Sequence, residues 1–407
     1  MDNRVVITGI GIYSCIGTNL DEVKESLRTG KSGIIFSPER KEYGYRSGLT
    51  GYVERPNLKA VLDRRARMML PEQGEFAYVA TVEALKTAKL ELDYIASHET
   101  GILYGNDSTT QPVINSADIV RAKKNTMMVG SGSVFQTMNS TVTMNLSTIF
   151  KLKGINFTVS GACASGSHTI GLGYLLIKHG YQDCIICGGA QEINVFSMGS
   201  FDALGVFSMK ENDPAGACRP FDRDRDGLVP SGGAATVIVE SLEHALKRGA
   251  PIFAEILGYG FSSNGEQIST PTIEGPKRAL EMSIKNSGLQ LSEIDYINAH
   301  ATATSAGDIA EAKAIHSIFG DKCPWISSTK SMTGHECWMA GTSEVVYSIL
   351  MAQNGFIAPN INFANPDEDS RKLKIVAETV EQNINTFVSN SFGLGGTNSA
   401  LVIKKWK

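Results

Sequence analysis

The chain has 407 residues, a formal net charge of −4, and 42% hydrophobic against 20% charged residues. That balance belongs to a globular protein with one large core or two medium ones. It excludes a global electrostatic footprint for nucleic acid or for an anionic membrane surface. Seven cysteines, an odd number without regular spacing, argue against a disulfide framework and for a reducing, cytoplasmic setting. No apolar run is long enough to cross a bilayer.

From the N-terminus, Val5–Ile10 reads as a strand rather than a signal peptide, because Gly9 and Gly11 interrupt it and no small-residue cleavage site follows. Asp21–Arg28 is a short amphipathic helix closed by Gly30, and Glu72–Leu90 has helical periodicity through Phe76, Val79, Ala80 and Leu85. Gly101–Tyr104 and Phe157–Val159 read as strands, and Gly166–Lys178 as a helix stopped by Gly180. Cys184–Cys187 and Ala234–Val239 are continuous apolar runs, the pattern of strands covered on both faces. Cys184 and Cys187 therefore belong to the core and not to a metal site. The rhythm then repeats: strand Ile252–Tyr259, helix Gly275–Ser287, strand Ile294–Ile297, helix Asp308–Phe319, strand Trp325–Ser327, helix Thr342–Gln353 and strand Ser399–Ile403. This predicts an α/β architecture. A boundary near Arg248–Pro251 separates 1–250 from 251–407. In each half a strand ends in a small-residue loop with a reactive group, Cys163 in the first and His300 in the second.

Cys163 stands in Gly154-Ile-Asn-Phe-Thr-Val-Ser-Gly-Ala-Cys-Ala-Ser-Gly-Ser, at a strand-to-helix junction whose small neighbours admit a substrate. The positive end of a helix dipole there favours thiolate. His300 follows a short apolar strand in Tyr296-Ile-Asn-Ala-His-Ala-Thr-Ala-Thr-Ser, and Lys330 and His335 follow another in Ser327-Ser-Thr-Lys-Ser-Met-Thr-Gly-His-Glu. Strand carboxyl ends of such sheets are where ligands gather, and a thiol with histidine partners is the arrangement of covalent thiol catalysis. Ser389-Asn-Ser-Phe-Gly-Leu-Gly-Gly-Thr-Asn lacks the Lys-Ser/Thr of a phosphate-binding loop, and Gly9-x-Gly11 lacks the third glycine of a dinucleotide fingerprint. The glycines can instead bring a backbone N–H close to a developing oxyanion.

With these motifs the chain resembles the β-ketoacyl-[acyl-carrier-protein] synthases of the thiolase-like superfamily, the elongating type above all. Arg219-Pro-Phe-Asp-Arg-Asp-Arg-Asp-Gly also matches that family. The resemblance covers essentially the whole length. It implies a homodimer whose subunits each have two similar halves in a five-layered α/β/α/β/α core. It implies that Cys163 accepts an acyl group from carrier-protein phosphopantetheine, and that His300 and His335 polarise a malonyl thioester so that carbon dioxide leaves. Lys330 would hold His335 or set the local electrostatics. The backbone N–H groups of Cys163 and Leu394 would form the oxyanion hole. Glu311 would support the site through an ordered ion or water, with Phe392 beside it. No cofactor or metal is implied.

The chain departs from the family pattern at Ala301 and Ala303, where the family has glycine and serine, and at Trp338 and Met339, where it has small residues. Leu394 stands for the usual phenylalanine gate, and Gly105-Asn-Asp-Ser-Thr-Thr is more polar than usual. Trp338, Ala301 and Ala303 are therefore expected to shape the pocket, for an unsaturated, cyclic or polyene chain. Arg64, Arg65 and Arg67, with Arg121, Lys123 and Lys124, form dense positive runs suited to docking an acidic acyl carrier protein. A non-catalytic chain-length partner subunit is the alternative, opposed by the retained Cys163, His300, Lys330 and His335. A thiolase is opposed by the absence of a cysteine after Cys337.

Overall fold

A computed structural model of the chain describes residues 2–407. Ten strands carry the architecture: β1 (Val5–Ser14), β2 (Thr100–Gly105), β3 (Asn156–Val159), β4 (Cys184–Gln191), β5 (Gly233–Ser241), β6 (Ala254–Ser263), β7 (Tyr296–Asn298), β8 (Trp325–Ser327), β9 (Thr386–Phe392) and β10 (Thr397–Lys405). In the first half they lie in the order β3-β2-β4-β5-β1, and in the second in the order β8-β7-β9-β10-β6. Each half thus places its third, second, fourth, fifth and first strand side by side. The pairing directions repeat as well: parallel across the first three strands, antiparallel across the rest. Val5–Ile7 pairs with Ala254–Ile256 and joins the two halves into one eleven-stranded sheet, completed by a two-residue strand beside β8.

Five helices build the layers: α1 (Glu72–Thr87), α2 (Ser165–Lys178), α3 (Glu274–Ser287), α4 (Ser305–Phe319) and α5 (Ala340–Asn354). α1 covers the outer face of the first half, and α3 with α4 covers the outer face of the second. α2 and α5 pack together between the two halves of that sheet, where α5 is buried from Ala340 to Ala352. This is the five-layered α/β/α/β/α order that the resemblance implies. Gly9 and Gly11 serve it directly, since a Cβ on Gly11 would lie 2.1 Å from the Ala80 carbonyl oxygen of α1. They are packing glycines that let a helix backbone approach a strand.

Several elements differ from the sequence reading. The first long helix ends at Thr87 rather than Leu90, because Lys89 takes a left-handed φ of +51°. Helices at Gln111–Lys123 and Ser133–Thr137 carry no clear periodic signal, since much of their surface faces solvent, and Thr141–Ile149 carries none because its buried face is largely polar, with Thr141, Thr143 and Asn145. β9 was hidden by its small polar residues Ser389, Asn390 and Ser391, all buried by neighbouring layers. The expected pairing of Cys163 with His300 across the internal repeat is also corrected. Cys163 follows β3, the third strand of its half, and its counterpart after the third strand of the second half is Lys330. His300 follows the second strand, so its counterpart is the Asn106–Asp107 loop after β2.

Candidate active site

Cys163, His300 and His335 open onto one cavity of about 320 Å³, together with Phe392, Gly393 and Leu394. Four loops, after β3, β7, β8 and β9, therefore converge at the junction of the two halves. Cys163 sits in the turn Ala162–Ala164 that leads into α2. Ser165 holds that turn: its hydroxyl donates to the Ala162 carbonyl at 2.7 Å and accepts the Gly161 N–H at 2.9 Å.

The thiol is 6% exposed. Burial pushes it up to about 11, although the Leu394 backbone N–H, the Lys330 charge and the Cys163 N–H all pull the other way. The thiolate expected from the helix start is therefore overridden by desolvation. Even so, the Leu394 backbone N–H lies near enough to the thiol to pull it down, and both residues line the same cavity. Leu394 itself is 47% exposed at the mouth, while Phe392 lies beneath it with its ring 5.8 Å from that of His300.

His300 is oriented through its backbone. Its N–H donates to Glu311 Oε1 at 3.0 Å, the Ala301 N–H donates to Oε2 at 2.7 Å, and Asn390 Nδ2 donates to Oε1 at 3.1 Å. Glu311, on α4, thus supports the site by direct contact with the His300 and Ala301 backbone. The His335 ring stands nearly perpendicular to that of His300, centroids 5.4 Å apart. His335 Nδ1 accepts the Cys337 N–H at 3.3 Å, which assigns its proton to Nε2. Burial, then the Lys330 charge, holds both imidazoles well below their ordinary range, with His335 adding to the effect on His300. Both are thereby biased toward the neutral form.

Lys330 makes no bond to His335. Its Nζ pairs instead with Glu344 on α5, a residue that sequence reasoning missed, and both side chains are buried. Of the two expected roles for Lys330, the geometry matches the electrostatic one. Burial pushes the Glu344 carboxyl up against the pull of Lys330. Glu336, next to His335, is buried too and accepts from Ser343 and from the Tyr347 hydroxyl. Burial raises it to about 7.

The departures from the family pattern fall in different places. Ala301 lines the cavity. Ala303 does not: it lies in a separate apolar cluster with Ile34, Leu49, Cys218 and Val229, so it does not shape the pocket. Trp338 also lies outside the cavity wall, packed behind Cys163 with Met198 and Phe207, and its ring rests against Phe201, which does line the cavity. Trp338 therefore reaches the pocket only through lining residues of its own cluster, Cys163, Phe201, Val206 and Leu228. Thr302, Thr304, Phe201 and Ile268 are further lining residues that the sequence reading passed over.

Arg64 and Arg65 are exposed on the short helix Arg64–Met69, and Arg121, Lys123 and Lys124 are exposed at the end of helix Gln111–Lys123, Arg121 pairing with Asp118 at 3.0 Å. Cys184 and Cys187 are buried, unpaired thiols on β4. Among the described residues no helix is long and apolar enough to cross a membrane, and no group of His, Cys, Asp and Glu is arranged to hold a metal.

A thiol, two neutral imidazoles and backbone donors around one cavity define an acyl-transferring site on a thiolase-like fold, and comparison with known proteins gives the family. The family model described as "Beta-ketoacyl synthase, N-terminal domain" matches residues 2–245, and "Beta-ketoacyl synthase, C-terminal domain" matches residues 253–364. The chain belongs to the β-ketoacyl synthase family. It is 42% identical over 406 residues to the 3-oxoacyl-[acyl-carrier-protein] synthase 1 of Haemophilus influenzae, covering 99% of both chains. A β-ketoacyl synthase from Burkholderia phymatum superposes with a TM-score of 0.95 at 32% identity, covering 100% of each chain. A type II PKS acyl-carrier protein in complex with its ketosynthase has a matching chain with a TM-score of 0.88 at 28% identity, covering 99% of this chain and 100% of that one.

Proposed function

We propose that this chain catalyses the decarboxylative Claisen condensation of an acyl group with malonyl-acyl carrier protein, giving 3-oxoacyl-acyl carrier protein and carbon dioxide. The observation that carries this reading is the single cavity shared by Cys163, His300 and His335. In the first half-reaction the Cys163 sulfur attacks the acyl thioester and its proton passes to the departing phosphopantetheine thiolate. The N–H groups of Cys163 and Leu394 stabilise the tetrahedral oxyanion. In the second, the malonyl thioester carbonyl accepts hydrogen bonds from His300 and His335. Carbon dioxide leaves, the resulting carbanion attacks the acyl carbonyl on Cys163, and the bond from that carbon to the Cys163 sulfur breaks, the sulfur taking up a proton from solvent to restore the thiol. Neutral imidazoles suit this step, because they stabilise enolate charge without delivering a full proton too early. The thiol and these donors supply the chemistry without an organic cofactor, phosphopantetheine arriving with the carrier protein.

Docking of that acidic protein falls to Arg64, Arg65, Arg121, Lys123 and Lys124. The partner in a homodimer is a second copy paired along β3, whose outer edge is open and whose Phe157 is 60% exposed. The serviced pathway is fatty acid or specialised lipid elongation.

Intact-mass analysis of the enzyme with a panel of acyl-carrier proteins, then malonyl-carrier protein, tests the reading. An acyl adduct on the wild type, absent in Cys163→Ala, followed by a 3-oxoacyl product, is expected. No adduct with any donor would sink it and favour the non-catalytic partner subunit. In the same assay, reversing charge at Arg65 and Lys124 should slow adduct formation at limiting carrier protein. Unchanged rates would remove the docking patch.

A further inference from the structure

The loop after β2 has no part in the chemistry derived above, yet it touches both sides of the site. Asp107 Oδ2 accepts the Ala162 N–H at 3.0 Å. Ala162 immediately precedes the nucleophile and has φ +45°, a left-handed conformation that an alanine keeps only where its surroundings hold it. One residue on, Ser108 Oγ accepts the indole N–H of Trp338 at 3.1 Å, three residues past His335. The loop is itself anchored: Asn139 Nδ2 donates to the Asp107 carbonyl at 3.2 Å, and Asn106 Nδ2 donates to the Asn139 carbonyl at 2.7 Å. Two departures from the family pattern, the polar loop and the bulky Trp338, are therefore one connected structure.

We propose that Asp107 and Ser108 are positioning residues, a two-point clamp that fixes the Cys163 loop against the His335 loop and so sets the separation of acyl sulfur and imidazole. The clamp rests on the condensing reading. A carboxylate makes a stronger acceptor for the Ala162 N–H than a neutral group would. It also puts a negative charge near the thiol, a smaller contribution than burial to keeping Cys163 protonated.

The test follows single-turnover acyl transfer to the full-length enzyme by intact mass, alongside the pH dependence of Cys163 alkylation by iodoacetamide, which needs no carrier protein. Asp107→Ala should slow acyl transfer about tenfold or more, the loss of one charge-assisted hydrogen bond, with KM for the carrier protein unchanged. Asp107→Asn keeps an oxygen acceptor for the Ala162 N–H and should recover most of that rate, while its alkylation profile moves to lower pH because the charge is gone. Ser108→Ala and Trp338→Phe each remove one partner of the second bond and should slow condensation equally, alone or combined. The clamp is overturned by wild-type rates in Asp107→Ala, by an Asp107→Asn variant as slow as Asp107→Ala, or by additive effects of Ser108→Ala and Trp338→Phe. If the wild type takes up no acyl group, the condensing reading fails instead, and the alkylation profiles still decide the Asp107 contact.

Discussion

His300 and His335 owe their form to burial beside a fixed positive charge. Desolvation disfavours imidazolium, and Lys330 repels it. A lowered pKa keeps both rings neutral as pH falls through 6.5, the ordinary imidazole value. The decarboxylation rate of malonyl-carrier protein is therefore expected to stay flat across that pH. A titration with its midpoint near 6.5 would contradict neutral donors. Stability responds differently: the unfolded chain takes up protons on these histidines below 6.5 while the folded chain does not, so they subtract from stability as pH falls below that value.

At this scale the sequence shows Cys163, His300 and His335 plainly, because each ends a strand in a loop of small residues. The partner of Lys330 does not show. Glu344 is 14 positions away inside a helix whose apolar neighbours read only as core. The helix start that favours a thiolate at Cys163 is visible in sequence, and the burial that opposes it is not.

At the scale of elements, glycine pairs and strand edges decide more than propensity does. Gly9 and Gly11 mimic a nucleotide fingerprint but exist to let α1 lie on β1. β9 lacks the β-branched run that marks a strand, since its serines and asparagine are buried by the layers around it. The repeated strand order could not be read from spacing, and so Lys330 rather than His300 emerges as the counterpart of Cys163. β3 makes a specific expectation. It is an edge strand with an exposed aromatic, and Phe157→Lys should shift sedimentation from dimer to monomer. A wild-type enzyme that sediments as a monomer, or a variant that stays dimeric, would exclude that edge as the interface.

Across the whole molecule, the two halves supply different parts of one reaction. The first half brings the nucleophile and the loop that clamps it, and the second brings both histidines, Lys330 and the Leu394 amide. The buried α2 and α5 fix the halves together, so the cavity forms at a junction and not within either half. The alternation of elements and the four motifs made this division legible in outline. Trp338 was expected in the pocket wall, but the actual packing puts it behind Cys163, a distinction no one-dimensional pattern carries.

We propose that acyl capture belongs to Cys163 and decarboxylation to the histidines. Carbon dioxide release from malonyl-carrier protein, measured for Cys163→Ala and His335→Ala, tests it most directly. Cys163→Ala should still release carbon dioxide while forming no 3-oxoacyl product. His335→Ala should take an acyl group yet release carbon dioxide about a hundredfold more slowly, as loss of a transition-state donor implies. Release lost in Cys163→Ala and kept in His335→Ala would contradict the account.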